Sequence, residues 1–356
     1  MGGRMSRRFS LTGYVVALLS VIILCSCDEL PGGVEISDIP DYYFENHYLD
    51  NKVKSISDAI EECNGDCETF FWITDIHWEP DLNTRKSPLL IKYIASKTGI
   101  NKILNGGDTG NSRVICDNAI LQLRNAIGSN NVYTVTGNHE LNDASRYEQP
   151  FKRVADELRE HNSDIVYGDD DRTYFYFENK ENKIRFIGLS SFGLYLDDNY
   201  ESGYTHEQLT WFKNTALQVE TDWTIIIFTH TLYDIDITTD KLIISLSGAK
   251  GFIDAIDSYK GNGSIACVLM GHTHRDRIHI GKTGVPYIIS ASDRHASHQG
   301  DINVDRNLGT IREQHFETVV LDKGNRTIKL LSIGAKTRDG LDDDPGTEVD
   351  VREVKY

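Results

Sequence analysis

The sequence predicts an α/β protein, a four-layer α/β/β/α sandwich of two mixed sheets, and three observations carry that prediction. Between residues 70 and 135, short apolar runs alternate with longer amphipathic stretches, the mark of a layer of parallel strands and helices. From residue 174 onward short strand-like runs dominate, which favours a second sheet packed on the first with helices outside. The 356 residues are 39% hydrophobic and include 29 glycines, so the apolar share is near the globular norm and overall disorder is excluded. Length alone allows one large domain or two.

The elements follow in order. Residues 28–66 begin polar, with glycine and proline, and turn helical over residues 52–63. Residues 70–73 read as a buried strand. Ser87 and Pro88 supply a cap and a first-turn proline for a helix to about Lys97, with a short strand at Ile103 and Leu104. A helix over residues 114–127 precedes a strand over 132–135, and residues 174–177 and 184–189 form a hairpin. Thr205 and Gln208 match a capping box that opens a helix to about Val219, ahead of a strand over 225–228. Runs over 265–270, 277–280, 285–289, 316–321 and 327–333 read as further strands. The Asp342-Asp343-Asp344 run reads as solvated charge.

The first residues form an address. Arg4, Arg7 and Arg8, with no acid, precede an apolar run over residues 11–24, the basic and apolar regions of an export signal. That run is shorter than the roughly 20 residues that span hydrocarbon. It ends in Leu24-Cys25-Ser26-Cys27, which resembles the lipobox of bacterial lipoproteins and implies a lipidated Cys27 as the mature N-terminus. A plain secretory signal is the alternative. The expected location is outside the cytoplasm, periplasmic or cell-surface, with a membrane anchor. The formal charge of -17 becomes -20 without residues 1–26, and such an acidic excess argues against nucleic acid as a partner. Cys116 and Cys267 sit in apolar stretches as small hydrophobes. Cys63 and Cys67 flank a turn-prone Asn-Gly-Asp, where an oxidising compartment would allow a structural disulfide, although spacing does not fix connectivity.

Five polar clusters each follow an apolar strand: Asp75-Ile76-His77, Gly107-Asp108, Gly137-Asn138-His139-Glu140, His230, and Gly271-His272-Thr273-His274. Asp, His and Asn suit divalent metals of intermediate hardness. Ligands collect at the carboxyl ends of strands in open α/β sheets, so the clusters can converge on one edge. If its strand continues, Asp75 projects to the same face as His77, about 7 Å along, and the same holds for His272 and His274. A two-metal site needs a shared carboxylate, and Asp108 is placed to be it.

In these five blocks the sequence resembles the calcineurin-like metallophosphoesterase superfamily, whose ordered pattern is D-x-H, G-D, G-N-H-D/E, a lone His and G-H-x-H. The resemblance covers about residues 67–335. It implies that Asp75, His77, Asp108 and His274 hold one metal, and that Asp108, Asn138, His230 and His272 hold the other. The two ions, Mn, Fe or Zn, would activate a water that attacks the phosphorus of a small phosphorylated substrate. His139, a ligand of neither, would donate a proton to the leaving oxygen or stabilise charge on the phosphoryl group. On this basis the chain divides into a signal peptide (1–26), a lipid-anchor spacer and N-terminal extension (27–66), the metallophosphoesterase domain (67–335) and an acidic C-terminal segment (336–356). Arg275 and the pair Arg294-His295 are either phosphate contacts or surface charges.

Departures narrow the subclass. Asn111 stands where purple acid phosphatases have a tyrosine, and His77 supplies a first-block histidine that they lack. Asn111 and Thr136 replace residues typical of phosphoprotein phosphatases. Many relatives orient the catalytic histidine with a carboxylate at the place of Asn111, leaving Asp117 as a distant substitute. The alternative from another class is a non-catalytic surface lipoprotein that uses the scaffold for binding, against which the five intact blocks weigh.

Overall fold

Alternate residues of the first long strand face different cores, and this alternation builds the layers. A computed structural model describes residues 34–63, 65–79, 86–141, 161–169, 173–196, 199–236, 238–294, 306–341 and 346–356. Cys27 and the signal, His295, His298 and the Asp342-Asp343-Asp344 run lie outside these. In β1 (Cys67–Ile73), Phe71 and Ile73 join one apolar cluster while Phe70 and Trp72 join another, as a pleated strand requires. Helices α1 (Tyr48–Glu62), α2 (Lys86–Thr98) and α3 (Arg113–Ile127) cover the first cluster. β2 (Ile103–Asn105) and β3 (Val132–Thr134) run parallel to β1.

β4 (Val166–Tyr167), β5 (Phe175–Asn179) and β6 (Ile184–Leu189) follow, with β5 and β6 forming the expected hairpin. A second hairpin pairs β7 (Phe192–Leu196) with β8 (Asn199–Ser202). After α4 (His206–Trp211) come β9 (Thr224–Thr229) and a third hairpin of β10 (Asp234–Asp236) and β11 (Lys241–Ile243). Helix α5 (Ala249–Asp257) leads to β12 (Ser264–Met270), β13 (Arg277–Ile280) and β14 (Pro286–Ile289). The chain ends with β15 (His315–Asp322), β16 (Thr327–Gly334), β17 (Thr337–Arg338), β18 (Glu348–Val349) and β19 (Val351–Lys355).

Among the described residues, two large mixed sheets form, six strands in the order β19-β16-β15-β1-β2-β3 and seven in the order β13-β14-β12-β9-β6-β5-β4. Phe70, Trp72, Phe186 and Phe228 pack between the sheets, and Ile225, Ile227, Phe212 and Phe252 pack between the second sheet and its helices. The four layers are those predicted. A bulge between Ile265 and Cys267 shifts the alternation of β12, so Cys267 faces the inter-sheet core and Val268 the helices.

Several expectations need revision. Residues 34–62 are no spacer, since Tyr43, Leu49, Ile56 and Ala59 bury into the first cluster. The acidic C-terminal segment ends in a strand of the first sheet, since β19 pairs with β16 and Arg352 is buried. The helix after Thr205 runs only to Trp211 before one π turn over Phe212–Ala216. Thr205 Oγ1 accepts from Gln208 N at 3.0 Å, but the Gln208 amide bonds Ser190 N and O at 3.0 and 2.9 Å, tying the helix to the end of β6 instead of closing a capping box. Cys63 and Cys67 are free thiols, and Cys63 Sγ donates to Ala59 O. No helix among the described residues is long and apolar enough to cross a membrane.

Candidate metal centre

Strand β1 stops at Ile73, and Asp75 and His77 then adopt left-handed φ values of 53° and 43°. Asp108, His272 and His274 do the same, at 50°, 70° and 56°. A side chain in this region costs about 1 kcal/mol or more, so tertiary contacts must hold these five residues there. The two pairs therefore converge through tight turns rather than along a continuing strand. Backbone bonds provide the hold. Asp75 N, His77 N and Trp78 N donate to the carbonyls of Gly107, Asp108 and Thr109 at 3.0, 2.9 and 2.8 Å. From the other side, Ser292 Oγ donates to Asp75 O at 2.7 Å.

Glu140 locks the next loops together. Fully buried, its carboxylate accepts from Asp108 N, Thr109 N and Gly137 N at 3.0, 2.5 and 2.7 Å. Burial and then the Asp108 charge raise its pKa to about 7, against the pull of the backbone donors. Gly137 is required here, because a Cβ would overlap Asp108 Oδ1. Sequence reasoning saw Glu140 in its block but gave it no role; its hold on a loop 31 residues upstream is a tertiary fact.

All eight predicted site residues come together. Ligand atoms of Asp75, His77 and His274 lie within 4.8 Å of one another, as do those of Asp108, His230 and His272, and of His77, Asp108 and His139. His77 Nε2 is 3.1 Å from His274 Nε2, which is 3.2 Å from Asp75 Oδ1. Asp108 Oδ1 accepts from His139 N at 2.8 Å, while Oδ2 lies 3.4 Å from His230 Nε2 and 4.0 Å from His77 Nε2. His230 Nδ1 donates to Gly106 O at 2.8 Å, which leaves Nε2 facing the cluster. Asn138 Oδ1 is 3.1 Å from His272 Nδ1.

The electrostatics call for a cation. Burial pushes the His230 pKa down, yet Asp108 and Asp75 outweigh it and hold the value at about 10. Burial takes His77 down to about 4. Asp75 stays ionised against burial because His230 and His274 face it, and its Oδ1 is buried without a hydrogen bond. Two buried carboxylates that hold His230 protonated when no ion is present mark a place for positive charge, which divalent metal ions would supply in exchange for that proton.

His139 Nδ1 lies 2.6 Å from Asn111 Oδ1, and an amide oxygen only accepts, so Nδ1 carries the hydrogen. Asn111 itself thus fills the orienting place for which Asp117 was considered. Arg275 ion-pairs with Asp240, and Arg294 Nη2 lies 3.0 Å from Glu79 Oε1.

Comparison with known families matches calcineurin-like phosphoesterases over residues 69–276, more than half of the chain. The chain belongs to this family. It is a metal-dependent hydrolase of phosphoester bonds that uses two divalent ions. Comparison with curated proteins gives no match. Among solved structures, a dimetal phosphatase from Danio rerio is similar at 15% identity and TM-score 0.50, covering 81% of this chain and 98% of that one. A purple acid phosphatase from yellow lupin (Lupinus luteus) seeds is similar at 12% identity and TM-score 0.51, covering 81% and 54%. At these identities the likeness is one of fold. In this metallophosphoesterase, Asn111 bonds the site histidine.

Proposed function

We propose that this metallophosphoesterase hydrolyses a small phosphoester with Asp75, His77, Asp108 and His274 holding one ion, and Asp108, Asn138, His230 and His272 the other. The observation that carries the assignment is the position of Asp108. One oxygen is occupied by His139 N, and the other stands between His230 and His77, so a single carboxylate oxygen serves both ligand groups. The chemistry that two bound divalent ions would supply is an acidified water and neutralisation of charge on the phosphate oxygens. The chain's own residues do the rest. Asn111 fixes the His139 ring through Nδ1, and Nε2 would carry the proton for the leaving oxygen. Glu140 fixes the distance between the loops that bear Asp108 and Asn138.

The test is metal content with turnover of a phosphoester series. About two ions per chain are expected in the parent. Asp108→Asn should lower both bound metal and turnover more than Asp75→Asn does. Full activity after exhaustive chelation would refute the assignment.

The same proposal includes export and lipid anchoring at Cys27, supported by the basic, apolar and cysteine order of residues 4–27. Lipid label should enter the parent and the membrane fraction should contain it, and Cys27→Ala should abolish labelling. Unchanged labelling of that variant would remove the anchor without touching the enzyme.

A further inference from the structure

Both carboxylates of the centre keep one oxygen bonded to the protein and turn the other to the ligand cluster. On Asp108 the bonded oxygen is Oδ1, which accepts a backbone N–H, that of His139 at 2.8 Å. On Asp75 it is Oδ2, which accepts from two donors, His272 N at 2.9 Å and the Thr74 hydroxyl at 2.7 Å. Asp75 Oδ1 is thereby left facing His274 Nε2, 3.2 Å away, in the group that also contains His77. A backbone donor comes with the fold, whereas a hydroxyl depends on the residue. Thr74 is thus a side chain outside the five motif blocks that acts directly on a ligand.

The fold makes a place for this hydroxyl from both sheets. Thr74 follows the end of β1, and its buried side chain sits between Gly106, just after β2 of the first sheet, and Gly271, just after β12 of the second. A Cβ at Gly106 would lie 2.5 Å from Thr74 Oγ1, and one at Gly271 would overlap both Thr74 Oγ1 and Asp75 Oδ2. Each glycine is pinned by its own backbone, Gly106 N to Ile73 O and Gly271 N to His230 O, both at 2.8 Å. Thr74 O accepts from Asp293 N at 3.0 Å, which fixes the backbone that carries the hydroxyl. An ionised carboxylate only accepts, so the hydroxyl hydrogen is directed at Asp75. With Oδ2 held in this way, Asp75 offers a cation one oxygen in one orientation; released, the group could turn, and fixing it would then be charged to metal binding.

We propose that Thr74 is a positioning residue of the metal centre. Its hydroxyl, seated between Gly106 and Gly271, locks Asp75 as a one-oxygen ligand and sets the affinity of the ion held with His77 and His274. The inference rests on the two-ion reading above and adds to it a residue that is not itself a ligand.

The test is Mn²⁺ binding to the full chain stripped of metal, followed by calorimetry in the parent, Thr74→Val, Thr74→Ala and Thr74→Ser. Valine replaces the hydroxyl by a methyl group and alanine leaves its place open, so an effect common to both belongs to the lost hydrogen bond and not to packing. Each should weaken one binding step about 10- to 100-fold, the usual cost of removing a partner of a metal ligand, and leave the other within about threefold. Thr74→Ser keeps the hydroxyl and should return the weakened step to near the parent value. His274→Ala, which removes a ligand of the same ion, identifies that step by weakening it too. Equal weakening of both steps, or no recovery in Thr74→Ser, would overturn the proposal. Two steps in the parent that stay unchanged in Thr74→Val and Thr74→Ala would overturn it and keep the two-ion reading. A single step in the parent, weakened by valine and alanine and restored by serine, would keep the role of Thr74 and overturn the two-ion reading.

Discussion

His139 owes its orientation to an amide, not a carboxylate, since Asn111 Oδ1 accepts its Nδ1–H at 2.6 Å. The neutral partner fixes the ring without adding charge beside the proposed metals. Two variants measure what this arrangement contributes. His139→Ala should retain both ions yet lose about 10²- to 10⁴-fold in kcat on alkyl phosphates, with a much smaller loss on nitrophenyl esters, whose leaving group needs little protonation. Equal losses on both would reject proton donation. Asn111→Ala keeps the imidazole and removes only its hydrogen bond, so a loss near tenfold in kcat is expected, the worth of one such bond. The sequence marks position 111 as the place from which relatives orient this histidine, but because an asparagine stands there its part passes to Asp117; that Asn111 itself makes the bond is visible once the loop after β2 and the turn after β3 stand side by side.

At the scale of elements, the strands and helices were readable because their apolar periods are regular. Phe70 to Ile73 alternates between two cores, and Ile225 to Phe228 does the same. The five site blocks were equally readable, because each follows such a strand. What sequence did not show is conformation without a compositional mark. Asp75, His77, Asp108, His272 and His274 are left-handed although none is glycine, and only the bonds around them require it. The final strand was missed for a different reason. In β19 the buried positions are Arg352 and Val354 while Val351 faces water, so its first two residues invert the usual relation of charge to burial. Arg352 is held inside by Glu317 Oε1 at 2.6 Å and by Ile289 O at 3.3 Å. Arg352→Met should therefore cost about 3–5 kcal/mol in urea unfolding, because it strands the buried Glu317 charge. Adding Glu317→Gln should recover most of that loss. A double variant no more stable than the single one would show that the pair is not the source.

The whole molecule is joined by a polar seam as well as by its apolar layers. Asp293 is fully buried; it accepts from Ser87 Oγ at the start of α2 at 2.6 Å and from His315 N of β15 at 3.3 Å. Its own N–H donates to Thr74 O beyond β1 at 3.0 Å, and Arg306 Nη2 bonds its carbonyl at 2.8 Å. Helix layer and first sheet thus meet at one carboxyl group, and the site loop joins them through the backbone of the same residue. Burial raises the Asp293 pKa from 3.8 to about 7, although Ser87 and Arg306 pull it down. The folded state therefore keeps a proton that the unfolded chain releases. Its contribution to stability is complete below about pH 4 and is lost as pH rises toward 7, at up to about 1.4 kcal/mol per pH unit. Asp293→Asn retains an acceptor for Ser87 and His315 and cannot ionise, so it should remove this pH dependence. With chelator present to exclude metal linkage, the unfolding free energy of the variant minus that of the parent should grow between about pH 4 and pH 7 and level off above. A difference that stays flat across that window would mean that the carboxyl group ionises as readily folded as unfolded, and that the seam is held by charge rather than by a proton.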